Sequence, residues 1–517
     1  IKHIYKLLNE EFNLNILKNK IFWYKKTFLL GLILLVLIFL SSIGPINHPD
    51  AADYHLGYPY QYFLRGRFFI DGGLHQGLLG IADYANLAFI QEKTIWLIRP
   101  LQILSLPFLI LFLNKRIHNK IFIIIILTCP LLIQYSTVGK PLFLSESCLT
   151  CLYLIWKEEK TYTNFKFLII SIIVATSTKS SSLLISLPIL LNLIIESIPK
   201  NINNTKSICY FNQIKFDKVI IFSVFSFLVL LYSRFLISGN FAYPFLTNIF
   251  NSDNFQFNQF SEYIKDYGRD EFFPLNIFLP FKLSSLSIVV GFPLSLIIIY
   301  SIYLMIKNYR KIFKNTIFNV FLAQMILLIC FCQGRGYYYL SPIILIVSQL
   351  DDLKYDLLNK NFKTIFLFSL WSQSFILLTY LFFSIYQNLY GLIDYESLMN
   401  RSSYGYSTAK LIEENSQGNN LFLDRNTRLF YNFDYVDADN FIDCIYSKNK
   451  EDIKNRDMNL VYQYCLDKLD VTRVISAEDS FFLDKDKFFC DYRNSYNVTR
   501  NPFRRKKTKY LICEMND

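Results

Sequence analysis

Runs of about 20 apolar residues recur along most of this chain, and one such run crosses about 30 Å of hydrocarbon as a helix. The first is Thr27 to Ile46, TFLLGLILLVLIFLSSIGPI, preceded by Lys25 and Lys26. No small-residue cleavage pattern follows it, so it reads as a retained signal-anchor. Further runs lie near 95–113, 121–136, 141–156, 167–178, 181–198, 218–237, 283–306, 315–332, 337–350 and 364–388. About eleven spans are therefore expected. Those at 141–156, 167–178 and 337–350 are short and read as broken helices or shifted boundaries. The chain is expected to be mainly α, a polytopic membrane protein.

Composition agrees with this reading and excludes others. Of 517 residues, 53% are hydrophobic and 18% charged, and mean hydropathy is +0.28. A soluble domain carries about 25% charged residues. A disordered, collagen-like or ordinary soluble chain is excluded. The net charge of +12 alone would fit a nucleic-acid partner, but its placement says otherwise. With the N-terminus cytoplasmic, segments 1–26, 114–120, 157–166, 196–218, 307–314 and 351–363 hold 23 Lys and Arg. The opposite loops hold nine before the C-terminal segment. This positive-inside bias assigns topology and argues against nucleic acid.

From about Asp394 the character changes. Residues 390–517 carry 19 basic and 21 acidic residues and no span-length apolar run. Short apolar strands at 421–424, 473–477 and 510–515 flank a helical pattern at 459–469. The division expected is a transmembrane domain over 1–389 and a small extramembrane α/β domain over 390–517. An odd span count puts that domain outside. Its cysteines, Cys444, Cys465, Cys490 and Cys513, either form two disulfides in one of three pairings or stay as buried thiols. Cys148 and Cys151 have C-x-x-C spacing but no second pair, which argues against zinc. Usage rich in Ile, Asn, Lys, Phe and Tyr points to an AT-rich bacterial genome. The membrane would then be the inner (plasma) membrane and the outer compartment the periplasm.

The first outer loop, residues 47–94, is too short for a domain and too patterned for a linker. One helix is expected from Pro49 to about Arg65, and a second, amphipathic one from about Leu74 to Gln91. Asp50 and Asp53 are three apart and share a face on a helix, with His55 close behind. A carboxylate at the membrane surface suits a general base. Asp50 equally suits the cap or first turn of a helix. Both readings stand on local sequence.

The stretch PDAADYHLGYPYQYFLRGR resembles the first-loop signature of membrane glycosyltransferases of the GT-C type, which include aminoarabinose transferases and protein O-mannosyltransferases. In relatives the loop reads roughly D-A-L-x-Y-H-L-P. Asp50 falls on the acidic position, Asp53 on a variable one, and Gly57 replaces the proline. STKSSSLLISLP (177–188), SGNFAYPFLTNIF (238–250) and QGRGYYYLSPIIL (333–345) resemble further segments of that group, in order. Phe241 replaces a proline, and the last segment has an inserted glycine.

The resemblance implies a GT-C-like fold and inverting transfer of a sugar from a polyprenyl-phosphate donor to a lipid, glycan or protein acceptor at the outer face. Asp50, with Asp53 beside it, is the candidate base. Arg335, Lys179 and Lys140 are the candidate cations for the donor phosphate. Tyr54, His55, Tyr60, Gln61 and Tyr243 are the candidate substrate contacts. No cofactor is required by the residues, although some relatives use a divalent cation, for which Asp50 or Asp53 would be the ligand. Glu146, in KPLFLSESC, stands where many relatives have an acid. Each cation has a plainer role, snorkelling to the interface. Two rival functions are a lipid or polysaccharide flippase and a non-catalytic assembly protein. A flippase should show repeated halves and glycine-broken helices, but only 17 glycines occur and no repeat is evident.

Overall fold

A computed structural model describes residues 26–46, 48–70, 74–90, 94–103, 121–131, 139–140, 142–197, 218–245, 291–307, 315–332, 336–349, 360–391, 394–403, 405–413, 418–423, 427–451, 458–478, 488–498 and 505–515, with a few isolated positions between. The helices, in chain order, are α1 (Lys26–Ser42), α2 (Gly57–Arg65), α3 (Ile81–Ala85), α4 (Ile98–Ile103), α5 (Ile121–Leu127), α6 (Leu142–Glu158), α7 (Tyr162–Thr178), α8 (Ser182–Ser197), α9 (Lys218–Ser238), α10 (Phe292–Lys307), α11 (Thr316–Phe331), α12 (Leu340–Val347), α13 (Lys360–Gly391), α14 (Tyr395–Ser402), α15 (Tyr406–Glu413), α16 (Ala438–Glu451) and α17 (Met458–Lys468). The strands are β1 (Asn420–Phe422), β2 (Tyr435–Val436), β3 (Arg473–Ala477), β4 (Phe488–Val498) and β5 (Arg505–Met515). The protein is mainly helical with a mixed sheet near its C-terminus.

The chain divides into two units. The first gathers residues 1–43, 99–227 and 264–386 and is helical throughout its described part. Each apolar run read from the sequence contains a described helix. Among the described residues two helices are long and apolar enough to span a membrane by themselves, at Lys218–Ser238 and Thr364–Leu389. Both show most of their apolar surface, with Phe222 70% and Phe375 72% exposed. A soluble core helix buries such a face, whereas a membrane helix turns it to lipid. Shorter apolar helices lie at Leu29–Ser42, Tyr162–Thr178, Ser182–Glu196 and Thr316–Phe331.

Hydrogen bonds through small polar groups knit these helices together, since lipid tails offer no hydrophobic drive between them. Thr150 on α6 donates to Ser341 on α12 at 2.7 Å, and Ser341 donates to Gln324 on α11 at 3.1 Å. Gln324 then donates to the Ile185 carbonyl of α8 at 2.9 Å. At their far ends, Lys157 and Lys160 pair with Glu196, the latter at 2.6 Å. Thr161 caps α7 by accepting the Asn164 N–H, and Asn315 caps α11 by accepting the Ile317 N–H.

The second unit gathers residues 44–98, 228–263 and 387–517. Its sheet runs β2-β1-β3-β5-β4. β1 is parallel to β2 and β3, and β5 is antiparallel to β3 and β4. Successive side chains point to opposite faces, so each central strand serves two cores. Leu421, Val474 and Leu511 join Phe441, Val461 and Leu466 of α16 and α17 on one face. Phe422, Ile475 and Ile512 join Ile412 of α15 and Tyr431 on the other. Of the two cysteine alternatives, disulfides form: Cys444 pairs with Cys465 and Cys490 with Cys513.

The first-loop expectation needs correction. The segment from Pro49 to Arg65 is helical as expected but not one regular α-helix: after Pro49 and Asp50, residues Ala51–His55 form a π turn, with the Leu56 N–H donating to the Ala51 carbonyl at 2.9 Å, before α2 begins. The segment from Leu74 to Gln91 is not one amphipathic helix either. Its described part holds two 3₁₀ turns, Gln76–Leu78 and Asn86–Phe89, with only the five-residue α3 between them. Gly77 and Gly80 weaken helix there. Asp83 accepts the Gly80 N–H at 2.8 Å and so starts a new turn instead of continuing the old one.

Candidate functional site

The π turn is set by its buried side chains. Ala51, Ala52 and Leu56 pack with Ile46, Ile98 and Leu429. Two small residues let the backbone sit close to its neighbours. Gly57 follows for the same reason, because a Cβ there would lie 2.7 Å from the Ala52 carbonyl oxygen and 2.9 Å from the Arg428 Cβ. Turns of this type interrupt regular hydrogen bonding and change which way successive side chains leave the backbone.

Asp50 and Asp53 consequently have different surroundings. Asp50 occupies the cap position, yet its side chain makes no capping hydrogen bond. It is half-buried, and its backbone N–H donates to His48 Nδ1 at 3.1 Å. Asp53 is only 2% exposed and ion-paired with Arg428. Arg428, 1% exposed, also pairs with Asp437 and lies 4.4 Å above the Tyr58 ring. His75 Nδ1 stands 3.6 Å from the other Asp53 oxygen. A guanidinium forks naturally between two carboxylates, and burial makes the arrangement costly to open.

The other first-loop candidates are also tied into this unit. His55 Nδ1 lies 2.7 Å from Asp83. Tyr54 is buried and stacks on His75 with ring centres 4.9 Å apart. Tyr60 donates to Asn432 at 2.9 Å, and Gln61 donates to the carbonyls of Arg428 and Tyr431, each at 2.9 Å. The first loop and the 427–432 segment are thus one folded object. Tyr243 is buried beside Ile237. Its burial, and next the Asp439 carboxylate, push its phenol well above the ordinary value. Burial and then the adjacent Asp83 push Tyr84 up to about 12, with Arg234 and a Tyr62 hydrogen bond acting against them.

In the helical unit, Lys140 is almost fully buried just ahead of α6. Lys179 is half-buried after α7, its Nζ 4.9 Å from the Tyr338 ring centre. Glu146 on α6 is 0% exposed, both its oxygens lack a hydrogen-bond partner, and Lys179 is the charge that acts on it. Arg335 lies outside the described residues.

Among the described residues no group of three or more His, Cys, Asp or Glu is placed to hold a metal ion. Asp53 is committed to a guanidinium, which would repel a cation. Residues the sequence reading did not find are Arg428 and Asp437. Nothing local marks them, because Arg428 is 375 positions from Asp53.

No family model matches the chain, and no curated protein matches it. Among solved structures the chain is similar to the oligosaccharyltransferase AglB of Archaeoglobus fulgidus, in complex with an inhibitory peptide and a dolichol-phosphate. Identity is 12%, the TM-score is 0.48, and the match covers 86% of this chain and 69% of that one. A likeness at that level leaves function to this chain's own residues.

Proposed function

We propose that this chain is an integral membrane glycosyltransferase that moves a sugar from a polyprenyl-phosphate carrier to a lipid, glycan or protein acceptor at the outer membrane face. One observation carries the reading. Asp50, on the acidic position of the first-loop resemblance, sits half-buried at the head of the π turn, with its backbone N–H on His48 and its side chain not capping that turn. The capping hydrogen bond that competes with catalysis for this carboxylate is not formed.

In the proposed reaction an acceptor hydroxyl or amine attacks the anomeric carbon. Its bond to that carbon forms as the bond to the phosphate oxygen breaks, with inversion. Asp50 takes the acceptor's proton, and the polyprenyl phosphate leaves as an anion. Lys140, Lys179 and Arg335 are the proposed cations for that phosphate. The near-complete burial of Lys140 favours a charge contact over snorkelling, which leaves the ammonium in the headgroup layer. Catalysis is assigned no metal step.

The test is Asp50→Asn, assayed in membranes with a labelled polyprenyl-phosphate sugar. Turnover should fall by about 10²–10⁴-fold, the usual worth of a positioned base, with expression unchanged. Full activity in that variant would remove Asp50 from the chemistry.

A further inference from the structure

β4 and β5 outrun the rest of their sheet. β3 pairs with β5 only from Arg473↔Glu514 to Ala477↔Tyr510. The β4–β5 ladder continues for five more pairs, from Asn494↔Lys509 to Val498↔Arg505. At about 3.4 Å per residue, a two-stranded ribbon projects roughly 17 Å past the sheet.

The ribbon's charge is one-sided. Residues 493–498 and 505–509 include Arg493, Arg505, Lys506, Lys507 and Lys509 and no acid, in a domain that is otherwise acidic. At the root, Arg493 lies 3.5 Å from Asp491 and Lys509 lies 3.2 Å from Glu478. Beyond the root the ribbon's sequence supplies no acid to offset Arg505, Lys506 and Lys507. The register also sorts residue types. Tyr492, Tyr496, Lys507, Lys509 and Arg505 fall in one row, and Lys509 Nζ already sits 3.8 Å from the Tyr492 ring centre. Cations beside amphipathic aromatic rings are the residue types that settle in a phospholipid headgroup layer.

α13, one of two helices among the described residues that can span a membrane alone, ends at Gly391. α14 begins at Tyr395 and lies directly against β4. We propose that the β4–β5 ribbon docks on anionic phospholipid headgroups of the membrane that α13 leaves, through Arg505 and Lys507 of that row, with Lys506 on the opposite face adding to the ribbon's charge. This surface stands apart from the transfer chemistry and does not depend on it.

The experiment is hydrogen exchange on the full chain in nanodiscs of phosphatidylcholine alone, or of phosphatidylcholine with phosphatidylglycerol. Exchange at 494–498 and 505–509 should slow about fivefold or more in the anionic discs, since each basic residue near such a surface contributes a factor of that order. The slowing should shrink when salt is raised toward 1 M, where screening falls to about 3 Å. Arg505→Gln/Lys506→Gln/Lys507→Gln should abolish it, with β3 exchange unchanged as the control for folding. Equal exchange in the two discs overturns the proposal, and that comparison needs no variant. Slowing that occurs only when soluble polyphosphate is added to zwitterionic discs also overturns it, in favour of a soluble polyanion.

Discussion

Arg428 is the residue on which the second unit turns. Its guanidinium is buried between Asp53 and Asp437 and beneath no solvent. Removing one partner of such a group leaves an uncompensated charge in the interior, at about 3–5 kcal/mol. Arg428→Met should therefore lower the melting temperature of the detergent-solubilised protein sharply. Asp53→Asn should also destabilise it, and the double variant should lose less than the sum of the two. Additive losses would show that the pair is not coupled. Tyr84 gives a pH prediction. Its folded phenol is pushed from 10.0 up to about 12. Below 10 both states keep the proton and Tyr84 contributes nothing. Between 10 and about 12 the unfolded chain gives the proton up while the folded protein holds it, so stability falls as pH rises. Tyr84→Phe should flatten that part of the melting-temperature profile. An unchanged slope would mean that Tyr84 ionises like an exposed phenol. At this scale the sequence was only partly readable. Asp50 and Asp53 stood out through their spacing. Their different surroundings did not, because the group that separates them lies 375 positions away and has no local signature.

Elements were more legible where their cause is local. An apolar run implies a helix by itself, and α6 to α11 follow the runs closely. RVISA was readable as β3 and NLVYQYCLDKL as α17, since alternation and helical spacing are short-range patterns. β4 was missed: FFCDYRNSYNV is too polar to signal a buried strand, and it forms as the sheet's edge by pairing with β5. The second first-loop helix was overextended because the bond from the Gly80 N–H to Asp83 is invisible to periodicity. The disulfides sit on such elements. Cys444–Cys465 ties α16 to α17 across 21 residues, and Cys490–Cys513 joins directly paired positions of β4 and β5 across 23. Loops of that size give about 3 kcal/mol each by restricting the unfolded chain. Cys444→Ser/Cys465→Ser should lose about that much, and reductant should lower the wild-type melting temperature. Indifference to reductant would mean that the thiols are free in the cell-made protein.

For the whole molecule, the decisive quantity is the apolar surface left uncovered on α9 and α13. Such a chain needs lipid or detergent to stay dispersed. The charge bias predicts a direction, in which the basic loops stay on the cytoplasmic side. A C-terminal alkaline phosphatase fusion should be active and a C-terminal green fluorescent protein fusion dark, if residues 390–517 lie outside. The opposite pair of results would reverse the topology and remove the outer-face assignment of the first loop. The disulfides point the same way, since they persist on the oxidising side of a membrane.

The buried Asp53–Arg428 pair also sets a timetable. The ribosome makes Asp53 and then 375 further positions before Arg428 exists. At about 5–20 residues per second, that is roughly 20–75 s of synthesis. Throughout it the first loop lacks the segment that completes its core, while the spans between are still being inserted. The loop cannot finish folding until the segment around Arg428 emerges. A nascent chain halted before residue 428 would carry Asp50 in an unfinished loop, so the candidate site is assembled only after Arg428 has been made.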